Sequence, residues 1–276
     1  MKSDVPTTNE PTDEIERTEI GDHGDTGDRS EPVQHVRLIK PLAASSESLR
    51  EQAAPCLGVP RTRLGAESPF GLALPDAQPS SSTMYAPRGV WLDDRRLIVC
   101  DSGNHRVLIW NEVPKSDQAP ADIVLCQPAF ESEGPAARGR GPENGVHLPT
   151  GVIVAEGRLL VCDAWHHRIL VWDRIPECSD VPPDYAIGQE SLSQAEVNRG
   201  GAPNRASLYW PYGVAWLDGR LYVADTGNRR VLVWNELPAK DRPCDIVIGQ
   251  ADPGGGEENR GGPVAANSFR WPHDLA

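Results

Sequence analysis

Tyr212-Gly213-Val214-Ala215-Trp216-Leu217-Asp218-Gly219-Arg220-Leu221-Tyr222-Val223-Ala224-Asp225-Thr226-Gly227-Asn228-Arg229-Arg230-Val231-Leu232-Val233-Trp234 is the stretch that decides the fold, because the chain says it three times. Pro87, Pro149, Pro211 and Pro272 open the copies, 62 residues apart and then 61. Asp101, Asp163 and Asp225 fall at matched places, as do Arg106, Arg168 and Arg230. A fixed period in this range means stacked supersecondary units, none able to bury its apolar face alone.

Each copy divides into four apolar runs. In the first they are Gly89-Val90-Trp91-Leu92, Leu97-Ile98-Val99-Cys100, Val107-Leu108-Ile109-Trp110 and Asp122-Ile123-Val124-Leu125. Runs of β-branched and aromatic residues bounded by Gly, Asp, Asn and Pro are strands. The second and third are apolar at successive positions, so they must be covered on both faces. Tight turns at Asp93-Asp94 and Asp218-Gly219 join the first two strands. Ser102-Gly103-Asn104 and Thr226-Gly227-Asn228 join the next two, with Gly and Asn expected to supply positive φ. Four short antiparallel strands, repeated and covered on both sides, predict an all-β fold: a β-propeller with three complete four-stranded blades and the start of a fourth.

The blades are expected at about 84–130, 146–190 and 208–251, with the fourth beginning at 270. Residues 1–35 are acidic, rich in Thr, Pro and Gly, and too poor in large apolar groups to offset the entropy of ordering, which predicts a disordered tail. Residues 36–83 are poorly defined by pattern, with a possible latch strand near 63–66. Connections such as Glu131 to Val146 are long for a compact domain, and such loops are often where function sits.

The net charge of −13 is spread over both the tail and the repeats, so there is no basic footprint for nucleic acid. No apolar run is long enough for a membrane span, and Met1-Lys2-Ser3-Asp4-Val5-Pro6 lacks the core of a secretory signal, which makes a cytoplasmic protein the expectation. Cys56, Cys100, Cys126, Cys162, Cys178 and Cys244 include no Cys-x-x-Cys pair and read as small buried thiols.

Pro-x-Gly-Val followed by Leu-x-Val-x-Asp-x-Gly-Asn-x-Arg-Val-Leu-x-Trp resembles the NHL-repeat family of propellers. Pro87, Gly89, Val90, Asp101, Gly103, Asn104, His105 and Arg106 carry the likeness in the first copy, and Pro211, Gly213, Val214, Asp225, Gly227, Asn228, Arg229 and Arg230 in the third. The second departs at the turn, with Ala164-Trp165-His166. Such rings usually close with about six blades, so a chain written in three predicts a truncated member, with self-association through open blade faces as one consequence.

The recurring residues have structural readings. Asp101, Asp163 and Asp225 can accept backbone N–H groups and pair with Arg106, Arg168 and Arg230. Trp110, Trp172 and Trp234 end the third strands as fillers between blades. Gln127, Gln189 and Gln250 close the fourth strands. His166 and His167, adjacent on a turn, read as exposed surface, and His147 as a loop residue.

Some propellers resembling this one are zinc lyases, such as the peptidylglycine amidating lyases, whose blades each present a His directly after the opening Pro. The matching positions here are Arg88, Thr150, Tyr212 and His273, so one imidazole stands where a site needs three ligands. No cofactor, no metal and no catalytic residue is assigned, and there is no nucleophile elbow or phosphate loop. The favoured function is a non-catalytic interaction scaffold whose long inter-blade loops bind a protein partner or another macromolecule. The alternative is a metal-dependent lyase or hydrolase, or a small-ligand binder, at the channel mouth formed by those four residues.

Overall fold

In a computed structural model the chain divides into two units, Met1–Leu57 and Gly58–Ala276. The described residues, 61–65 and 78–275, all lie in the second. The acidic tail, Cys56 and most of the segment 36–83 fall outside them. Among the described residues no helix is long and apolar enough to cross a membrane.

Among the described residues twelve strands form three antiparallel sheets of four, each in sequence order. Blade one holds β1 (Val90–Leu92), β2 (Leu97–Asp101), β3 (Arg106–Trp110) and β4 (Ile123–Leu125). Blade two holds β5 (Pro149–Ala155), β6 (Arg158–Asp163), β7 (Arg168–Trp172) and β8 (Tyr185–Ile187), and blade three β9 (Pro211–Leu217), β10 (Arg220–Asp225), β11 (Arg230–Trp234) and β12 (Ile246–Ile248). The fold is all-β, three complete propeller blades. The register repeats with the sequence: Asp101 pairs with Arg106, Asp163 with Arg168 and Asp225 with Arg230 across each central hairpin.

Alternate residues of the central strands serve two different cores, which is why those strands are apolar throughout. Ile98, Cys100, Val107 and Ile109 of blade one meet Leu159, Val161, Leu170 and Trp172 of blade two. The opposite face of blade two, with Leu160, Cys162, Ile169 and Val171, meets Leu221, Val223, Leu232 and Trp234 of blade three. The Pro-x-Gly glycines mark where innermost strands converge. A Cβ on Gly151 would sit 2.8 Å from the Tyr212 carbonyl, and one on Gly213 2.8 Å from that of His273, so hydrogen alone fits. The chain after Trp271 forms no strand among the described residues, yet it takes the seat of a fourth blade's opening. The Thr226 hydroxyl donates to the Pro272 carbonyl at 2.5 Å, as the Ser102 hydroxyl donates to that of Pro149.

The two ends of the arc differ. On blade one Val99, Leu108, Trp110 and Val124 are buried, with Leu64, Met84 and Phe130 packed on them. On blade three Ile246 and Ile248 are exposed. Arg63-Leu64-Gly65 makes a single parallel bridge, Gly65 to Thr83, and no strand among the described residues.

Candidate functional site

The site is built from the turns between the second and third strands of each blade and the loops that carry the chain from one blade to the next. In each turn three residues form a 3-10 turn, and the residue after it takes the left-handed conformation: His105 at φ 54°, His167 at 57° and Arg229 at 53°. This corrects the expectation that Gly and Asn hold the positive φ. Gly103 and Gly227 are glycine for another reason: the rings of Tyr85 and Tyr209 lie on them, leaving 2.4 and 2.5 Å to any added Cβ. Blade two keeps the same turn with Trp165 in the glycine's place, because the tyrosine's place is taken by His147.

The Asp–Arg pairs stand at the root of these turns, wholly buried, at 2.7, 2.9 and 2.7 Å. Each aspartate also accepts the backbone N–H of the incoming loop, from Tyr85, His147 and Tyr209. Each guanidinium then gathers carbonyls from the loops on either side. Arg106 takes those of Phe130, Ser80 and Thr83, Arg168 those of Leu192, Pro142 and Gly145, and Arg230 those of Pro253, Asn204 and Ser207. Arginine's five fixed donors make it the side chain that can do this. Burial pushes Asp101 and Asp225 above the ordinary carboxylate range despite their arginines. Burial acts on Asp163 too, but Arg168 and His166 together outweigh it and hold it below that range.

The glutamines and tryptophans fasten the rest. The amide nitrogens of Gln127, Gln189 and Gln250 each donate to the loop, at Gly134, Glu196 and Glu257, and to the turn behind it. The indole N–H groups of Trp110, Trp172 and Trp234 donate to Ala119, Val181 and Arg242 at the opposite end of the blades.

His166 and His167 are buried, not exposed as their place on a turn suggested. His166 Nδ1 meets Asp163 at 2.9 Å, taking the part that Asn104 and Asn228 play elsewhere. His167 Nδ1 accepts the N–H of Trp210 in the next blade, and His105 Nδ1 that of Leu148. An imidazole in this role must stay neutral at Nδ1. Burial holds both His105 and His167 down at about 4. Burial lowers His147 too. Cys178 is exposed, while Cys100, Cys126, Cys162 and Cys244 are buried free thiols. Solvent at the sharp end of a loop explains the exception.

Arg88, Thr150, Tyr212 and His273 line one cavity of about 1050 Å³ along the innermost strands, walled by Trp91, Trp216 and Tyr222. Thr150 is committed within the fold, since its hydroxyl donates to the Tyr212 carbonyl at 2.9 Å. Tyr212 and His273 lie ring to ring at 5.0 Å. Among the described residues no three His, Cys, Asp or Glu side chains gather as a metal site would require.

A row of aromatic rings, missed by sequence reasoning, runs across the blades beside this mouth. His147, Trp165, Trp210 and Trp271 follow one another at centroid separations of 5.3, 5.7 and 6.4 Å. The signal was present: Trp210 and Trp271 each precede an opening proline, and Trp165 stands where the other copies have glycine.

No family model matches the chain, and no curated protein matches it. Among solved structures it is similar to a streptogramin B lyase, at 14% identity over 59% of this chain and 43% of that one, with a TM-score of 0.31. It is also similar to a luciferin-regenerating enzyme, at 12% identity over 59% of this chain and 58% of that one, with a TM-score of 0.22. The chain thus spans about half the length of each, and neither likeness bears on chemistry here.

Proposed function

We propose that the protein is a non-catalytic interaction scaffold, an NHL-type propeller working in the cytoplasm, whose inter-blade loops engage a protein or another macromolecule. One observation carries this reading. Each loop is nailed at its root by a wholly buried arginine, while its outer residues, among them Glu131, Glu133 and Arg138 in one loop and Glu190, Glu196 and Val197 in the next, stand in solvent. Rigid roots under exposed tips keep the entropic cost of binding low. The experiment replaces those six residues with Ser, leaving the carbonyls that the arginines hold untouched, and compares partner capture by quantitative mass spectrometry. Capture that is unchanged ends the reading.

A second reading, a small-ligand site, is favoured by the cavity shared by Arg88, Tyr212 and His273, with its aromatic walls. A metal-dependent lyase or hydrolase is the enzymatic form of it. Ligand-induced thermal shifts that disappear in Arg88→Ala would support this reading over the first.

A further inference from the structure

We propose that the indole row Trp165–Trp210–Trp271 is a docking surface for a cationic peptide segment, whose Arg or Lys side chains lie over the rings. The inference deepens the scaffold reading and rests on it. Trp165 is the first reason. Blades one and three build the same turn with glycine beneath a tyrosine; here the indole covers His147 on one side, yet the residue is still 43% exposed. Trp210 is the second. The copies share a left-handed residue at this place, Ala86 and Leu148 in the first two, and only here is it an indole, set between Trp165 and Trp271. Trp271, 50% exposed, extends the row.

Geometry and charge choose the occupant. Adjacent indoles are tilted by 39° and 44° rather than parallel, so they form no slot for a planar base or ring; the exposed Trp165 and Trp271 instead offer seats on either side of Trp210, which is half-buried against Tyr209. A cation is held over such a face within ~6 Å of its centroid, best by Trp, and Arg more often than Lys. The chain's net charge of −13 attracts a basic partner and repels a nucleic acid. Asp274, exposed beside the end of the row, adds a fixed negative charge.

The test measures binding of a fluorescein-labelled nona-arginine peptide to the full chain by anisotropy at physiological salt, with quenching of indole fluorescence as a second readout. The comparison protein is Trp165→Gly/Trp271→Ala, which installs the residue that the other turns use, removes an exposed ring and leaves the charge unchanged. Binding with quenching, weakened about tenfold in the double variant at an unchanged melting temperature, is the expected result, a few-fold for each exposed ring lost. Should the double variant fold poorly, Trp165→Gly alone is expected to weaken binding a few-fold. Equal affinity in wild type and variant means diffuse charge alone and overturns the proposal, as does no binding by the wild type. Ring-dependent binding of a chito-oligosaccharide without binding of the peptide reassigns the row to glycans and also overturns it. Each of these failures leaves the loop reading to its own capture experiment.

Discussion

The turn between β6 and β7 and its counterparts in blades one and three share a backbone but not the side chains that cover it. Glycine beneath tyrosine in blades one and three becomes tryptophan beside histidine in blade two, and asparagine on the aspartate becomes His166. The left-handed residue and the buried Asp–Arg pair are common to all three. The difference teaches that the pair fixes the turn, while the covering residues are exchangeable as a set and free to acquire another role in one blade.

The hardest blow to that comparison would come at the arginines. Arg168→Ala strands a buried carboxylate and frees loop carbonyls, so a loss of about 3–5 kcal/mol is expected, matched by Arg106→Ala and Arg230→Ala. Denaturant melts in which Arg168→Ala is much milder than the other two would mean that His166 takes over the charge and that the pair is not common property. Next comes exchange of the covers. Gly103→Trp alone should cost about 1–3 kcal/mol by overpacking against Tyr85, and Gly103→Trp/Tyr85→His should recover most of it. No recovery in the double variant would show that blade two's pairing is not transferable.

Acid sharpens the comparison further. His105 and His167 titrate near 6.5 when unfolded and near 4 when folded, so between those values the unfolded chain binds more protons. Their contribution is present in full above about pH 6.5 and is lost as pH falls towards 4. Blade three holds Arg229 in the same place. Melting temperature measured across this window should fall less in His105→Gln/His167→Gln, whose amides can still accept the N–H. The smallest effect is expected from Trp165→Gly, about 1 kcal/mol or less by the same melts, since the shared turn accepts glycine and the ring it removes is exposed.

Much of this was legible in the residues. The 62-residue step, the four runs per copy and the matched Asp and Arg are local patterns, and strand formation answers to local pattern. Burial of His166 and His167 was not legible, because adjacent residues on an ordinary turn face opposite ways. A 3-10 turn followed by a left-handed residue directs one ring to the aspartate and the other to the next blade. The aromatic row was hidden for a related reason: its members belong to different blades and become neighbours only across the packing interfaces.

The outer strands divide what belongs to sequence from what belongs to tertiary structure. Ile123-Val124-Leu125 and Ile246-Val247-Ile248 are nearly the same tripeptide, and the chain by itself made both of them strands, in the same register on the same hairpin. Yet the first is buried throughout while both isoleucines of the second stand open to solvent. A strand's pairing is decided by its own side chains and its hairpin, whereas its burial depends on the sheet that stacks against it, and only the assembled blades supply that neighbour.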